Sequence, residues 1–154
     1  MPLIPRTFNW QARLERRGVR VLATIPVSED GSAPQPPGEP FLEGVRFLRA
    51  ALQTPPDGQP PRKIGIVAPA DCPCAGDVAR YLARSFAETG KAVVLLDAAE
   101  PGRGAALAPE TWDRVRLMSA PDGNAGGLAG AVDAAAAGGG YVIIDATRLP
   151  AHAA

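Results

Sequence analysis

The chain has 154 residues, its 16 lysines and arginines balance 16 aspartates and glutamates, and it contains two cysteines. That length suits one domain with a true core, and zero net charge leaves no basic field for nucleic acid or an anionic lipid surface. No apolar run approaches the ~20 residues that span a bilayer, and the stretch from Met1 to Arg17 lacks the apolar centre of a secretory signal, so the expected location is cytoplasmic.

Met1 to Arg17 is polar, with Phe8 and Trp10 as isolated aromatics and a basic cluster at Arg13, Arg16 and Arg17. It suits a short helix or a docking tail. Val19 to Pro26 is rich in β-branched residues and closes on proline, which predicts a strand or extended segment. The following SEDGSAPQPPGEP is dominated by Pro, Gly and Ser and is expected to be a flexible surface linker. The expected organisation is therefore an arm and linker over residues 1–38 and an α/β domain over residues 39–154.

From Pro40 the pattern becomes helical. Phe41, Val45, Leu48 and Leu52 form one apolar stripe, with Glu43, Arg46 and Arg49 off it, and TPPDGQPP ends the helix. Lys63 to Val67 predicts a short buried strand. Gly76 to Glu88 predicts a helix with Val78, Leu82 and Phe86 on one face and Ala79 and Ala83 beside them, stopped by Gly90. Ala92 to Leu96 is a continuous apolar run suited to a central parallel strand, completing a right-handed βαβ unit. Glu100 to Pro109 is a loop by composition, and Val115 to Met118 suits a short strand. Leu128 to Ala137 suits an alanine-rich helix stopped by Gly138, Gly139 and Gly140. Tyr141 to Asp145 suits a final buried strand, and the tail beyond it is expected to fray.

The turn after the first core strand has the position of a phosphate-binding loop. Such a loop needs glycines for close backbone approach, a lysine for the β/γ-phosphates and a hydroxyl for Mg²⁺. Here it reads Ala68-Pro69-Ala70-Asp71-Cys72-Pro73-Cys74-Ala75-Gly76-Asp77. Two prolines remove N–H donors, two aspartates oppose phosphate, and no lysine or hydroxyl is present. ATP or GTP binding is disfavoured on each count.

Four segments, in order, resemble the cytoplasmic domain of the bacterial tyrosine kinases that accompany polysaccharide co-polymerases, relatives of the MinD/ParA P-loop ATPases. They are LERRGVRVLATIP, EPFLEGVRFLRAAL, the βαβ unit from Lys63 with VARYLARSFAETGKAVVLLDA, and YVIIDA, together a little under half of the chain. The resemblance implies a three-layer α/β sandwich with a mainly parallel sheet, a reduced and degenerate P-loop fold. It implies that Glu43, Arg46 and Arg49 correspond to the family's E-x-x-R-x-x-R oligomerisation motif. It places Cys72 and Cys74 on loop glycines, Ala75 on the lysine, Gly76 on the hydroxyl residue and Asp77 on the following threonine, with Asp97 and Asp145 as residual Walker aspartates. Ala99 falls on the second motif's next acidic position, beside Glu100. The interval from Asp97 to Asp145 is shorter than in the family, and its tyrosine-rich tail has no counterpart here.

The expectation is thus a non-catalytic scaffold or regulatory subunit in bacterial exopolysaccharide synthesis and export, without catalytic residues, cofactor or metal. It would assemble with itself, with paralogous kinase or co-polymerase subunits, or with the inner-membrane polysaccharide machinery as a peripheral protein. Plainer roles stand beside these: Asp97 and Asp145 as strand end-points, Glu43, Arg46 and Arg49 as a solvated helix face with an i,i+3 ion pair, Cys72 and Cys74 as small fillers of a collapsed loop, and Trp10 and Trp112 as seals of a small core. His152, in the tail, is no credible catalytic base. The competing class is a divergent ATPase or tyrosine kinase with Lys63 or Lys91 supplying charge, and a third is a thiol-based or metal-dependent sensor.

Overall fold

A computed structural model of the chain describes residues 10–56, 58–69, 72–98, 114–119 and 125–146. Among them are four helices and four strands: α1 (Trp10–Arg16), α2 (Glu39–Gln53), β1 (Lys63–Ile66), α3 (Ala75–Glu88), β2 (Val93–Asp97), β3 (Val115–Ser119), α4 (Ala125–Ala136) and β4 (Tyr141–Asp145). Phe8, Ala99, Glu100, the Glu100–Pro109 loop, Trp112 and His152 lie outside the described residues, as does Asp71.

The strands form one all-parallel sheet in the order β1-β4-β2-β3. The βαβ unit is therefore split: α3 carries the chain from β1 to β2 across the place that β4 fills. The two middle strands, β4 and β2, are the most apolar, since a parallel strand covered on both faces has no polar side to show. Val93 to Leu96 are all buried, as are Tyr141, Val142 and Ile143.

Side chains alternate across the sheet, so the middle strands β2 and β4 feed two cores. Val93, Leu95, Tyr141, Ile143 and Ile64 meet Ala79, Leu82, Ala83 and Phe86 of α3 and Phe41 and Val45 of α2. Val94 and Val142 meet Ala135, and Leu96 meets Ala131, both of α4. The result is the expected three-layer α/β sandwich, with α2 and α3 on one side and α4 on the other.

The two sides are unequal. On the α3 side, Phe86 stacks tilted on Tyr141 with ring centroids 4.3 Å apart, and Phe41 meets Tyr81 edge-on at 5.6 Å. On the α4 side, among the described residues, the helix buries only Ala131 and Ala135, with Leu128 and Val132 partly buried against Leu96. Gly90 ends α3 with φ of +80°. Gly140, read from sequence as part of a helix stop, has a further duty: a Cβ there would lie 2.4 Å from the Ala92 carbonyl oxygen, which accepts the Tyr141 N–H at 2.9 Å. Backbone packs on backbone where β4 enters the sheet, and glycine is what fits.

Val19 to Pro26 forms no strand. Its burial alternates, with Val21, Ala23 and Ile25 half-buried and Leu22 and Thr24 exposed, as in an extended segment laid on a surface. That surface is α2, where the Ile25 backbone comes within 3.1 Å of the position a Cβ on Gly44 would take. The Pro-rich stretch that follows is more than a spacer. Ser28 N–H bonds to Ser32 O at 2.9 Å, the Asp30 carboxylate accepts from both the N–H and the hydroxyl of Ser32, and Ala33 is buried in the α2/α3 core.

Candidate functional site: the bend between β1 and α3

In parallel α/β sheets, ligands bind beyond the carboxyl ends of the strands. Here that edge carries Asp97 and Asp145, which are register partners on β2 and β4, and the bend from Val67 to Cys74. Ala98 N–H bonds to Asp145 O, and Ala146 N–H to Ile66 O, each at 3.0 Å. These bonds extend the pairing past the strand ends, and of the two aspartates it is Asp145, on the strand beside β1, that faces the bend.

The described residues that the resemblance sets against a phosphate loop lie together at the start of α3. Ala75 opens α3 and is 6% exposed, so its short side chain is packed inside. Gly76 faces Asp145: a Cβ there would lie 3.3 Å from Asp145 Oδ2. Asp77 is ion-paired with Arg80 one turn on, which satisfies its charge within the helix. The bend offers no lysine, serine or threonine between Val67 and Asp77. Cys74 takes the N-cap position without a side-chain cap bond.

Cys72 and Cys74 are free thiols, each half-buried, with their Sγ atoms 3.6 Å apart. Burial, and then the sulfur–sulfur hydrogen bond, pushes the Cys74 thiol above its ordinary pKa. Desolvation disfavours the thiolate, and a donor that gives its proton to a neighbouring sulfur holds it longer. Among the described residues no cluster of three or more His, Cys, Asp or Glu is placed to hold a metal ion.

The lysines considered as substitute cations stand elsewhere. Lys63 opens β1 and pairs with Asp133 of α4 at 3.0 Å, and Lys91 lies two residues before β2. Both lie at the amino edge of the sheet, separated from the bend by the length of a strand, ~13 Å for four residues.

The second candidate region is α2. Glu43 and Arg46 are exposed, as the amphipathic pattern requires. Arg46 pairs with Glu39 rather than in the i,i+3 pair with Glu43 that sequence spacing suggests. The Glu39 hydrogen bond, more than any other influence, holds the Arg46 guanidinium above its usual pKa. Arg49 is not part of a solvated face. It is half-buried and donates to Ser85 O at 2.8 Å and Ser85 Oγ at 3.0 Å, tying α2 to α3. Nothing in the local sequence signals this link, because its partners are 36 residues apart. Phe47, between the two arginines, is 63% exposed.

No protein-family model matches the chain, and no match to a curated protein was found. No helix among the described residues is long and apolar enough to cross a membrane.

Proposed function

We propose that the chain is a non-catalytic P-loop-like domain that serves as a scaffold or regulatory subunit in bacterial exopolysaccharide synthesis and export, acting by protein–protein assembly. The observation that carries this is the approach of Asp145 Oδ2 to Gly76. In P-loop enzymes a loop hydroxyl and a strand-end aspartate hold Mg²⁺ together. Here the aspartate keeps its station while a glycine stands at the hydroxyl position and a buried alanine at the lysine position. The frame is retained and its reactive groups are absent, which favours a role in assembly over turnover.

The polysaccharide context follows from the four resembling segments. The partners would be further copies of the chain, a paralogous kinase or co-polymerase subunits at the inner membrane, with the exposed face of α2 as the contact. Apolar anchors such as Phe47 would supply most of the energy and the flanking charges the register.

Isothermal titration with Mg-ATP tests the non-catalytic part. The expected result is no saturable heat up to millimolar nucleotide. Micromolar binding would overturn it and restore the divergent ATPase or kinase.

A further inference from the structure

The bend that lacks phosphate-binding groups presents two sulfurs at a fixed separation. Backbone bonds set it: Cys72 N–H donates to Pro69 O at 3.1 Å, Ala75 N–H reaches Cys72 O at 3.5 Å, and Val78 N–H donates to Cys74 O at 2.9 Å. Pro73 between them cannot swing freely, since its φ is locked and its ring packs 3.7 Å from the Cβ position of Gly31. Cys74 packs against the core around Phe41 and Leu82. The two sulfurs converge at 3.6 Å rather than diverging.

That separation has a chemical meaning. A tetrahedral ion bound to thiolates at ~2.3 Å needs its sulfurs ~3.8 Å apart, a few tenths of an ångström beyond the observed spacing. We propose that Cys72 and Cys74 form a bidentate thiolate chelate for a thiophilic divalent cation, with Zn²⁺ as the natural choice, at the N-terminus of α3. On uptake each thiol gives its proton to water, and the two thiolates neutralise the dication. Both thiols are half-buried, so an ion can enter without unfolding the bend. The described residues supply no third ligand, so the remaining positions are left to water or to an external donor, including the same pair on a second copy. This inference stands apart from the scaffold role, since each can fail while the other holds.

The probe is Co²⁺, titrated into the full chain kept reduced with a non-chelating phosphine under anaerobic conditions. The expected result is sulfur-to-cobalt charge-transfer absorption that saturates at one ion per chain or one per two chains and is displaced by Zn²⁺. Cys72→Ser and Cys74→Ser should each weaken binding at least tenfold, because either removes the chelate, with unchanged far-UV circular dichroism. Should a variant misfold, zinc-edge X-ray absorption on the unaltered protein decides, with sulfur scatterers at ~2.3 Å expected. Absence of charge transfer at millimolar Co²⁺, binding indifferent to both substitutions, or a shell of only nitrogen and oxygen would overturn the proposal.

Discussion

Arg46 and Arg49 sit three positions apart on one helix and do different work. Arg46 is solvent-exposed and answers to Glu39, an arrangement that contributes little to stability because water screens both partners. Arg49 turns inward, gives two hydrogen bonds to Ser85, and leaves its Nε buried without a hydrogen-bond partner among the described residues. Such a group is sensitive to change, since its loss strands the Ser85 carbonyl and hydroxyl in a dry place. Arg49→Ala is expected to destabilise the fold by about 1.5–3 kcal/mol, the worth of hydrogen bonds to a charged group, read as a lowered urea midpoint. Arg46→Ala should leave that midpoint unchanged. Equal shifts for the two variants would remove Arg49 as the tie between α2 and α3. Sequence alone could group these residues by spacing but could not separate them, because the partner of Arg49 is distant in the chain. The same limit applies to Gly76, whose meeting with Asp145 depends on strand order.

Strand order is where sequence reading stopped short at the level of elements. The apolar stripe of α2, the amphipathic α3, the apolar runs of β2 and β4 and the alanine-rich α4 each follow from a local period, and each forms near its expected bounds. The insertion of β4 between β1 and β2 follows from no local period. The extended segment from Val19 has strand composition, yet no strand forms there: β propensity marks a residue that fits a half-buried pleated surface, and α2 supplies such a surface. Ala33 was hidden by its Pro-rich neighbours. The elements also differ in how firmly they are held. Leu82 and Phe86 of α3 are fully buried, whereas α4 offers Ala131 and Ala135 as its buried anchors, each burying far less apolar area than a leucine or phenylalanine. The Lys63–Asp133 pair on that side is exposed and adds little. Native-state hydrogen exchange should therefore show α4 amides opening at distinctly lower free energy than those of α3, β2 and β4. Equal protection across both helices would mean that the partly buried Leu128 and Val132 hold α4 as firmly as Leu82 and Phe86 hold α3.

At the level of the whole molecule, an unequal sandwich with its firm side built from α2 and α3 places the exposed face of α2 on a rigid support. That face carries Glu39, Glu43, Arg46 and the apolar ring of Phe47. Its charges are mixed in sign, so two copies related by a twofold axis can set Arg46 of one against Glu43 of the other, and the same contact recurs by symmetry. Arg46→Glu would place three acidic residues on the patch, turning attraction into like-charge repulsion while Phe47 stays in place. If the α2 face is the assembly surface, the unaltered protein should sediment as an oligomer, and Arg46→Glu should shift the distribution towards monomer. The reciprocal exchange, Glu43→Arg with Arg46→Glu, should recover assembly, because it restores opposite charges across the axis. A loss of fold would lower the helical circular dichroism of the single variant and would not be repaired by the exchange, which separates instability from a lost contact. Sedimentation mass unchanged by charge reversal, or a loss that the exchange leaves unrepaired, would take the assembly surface away from α2.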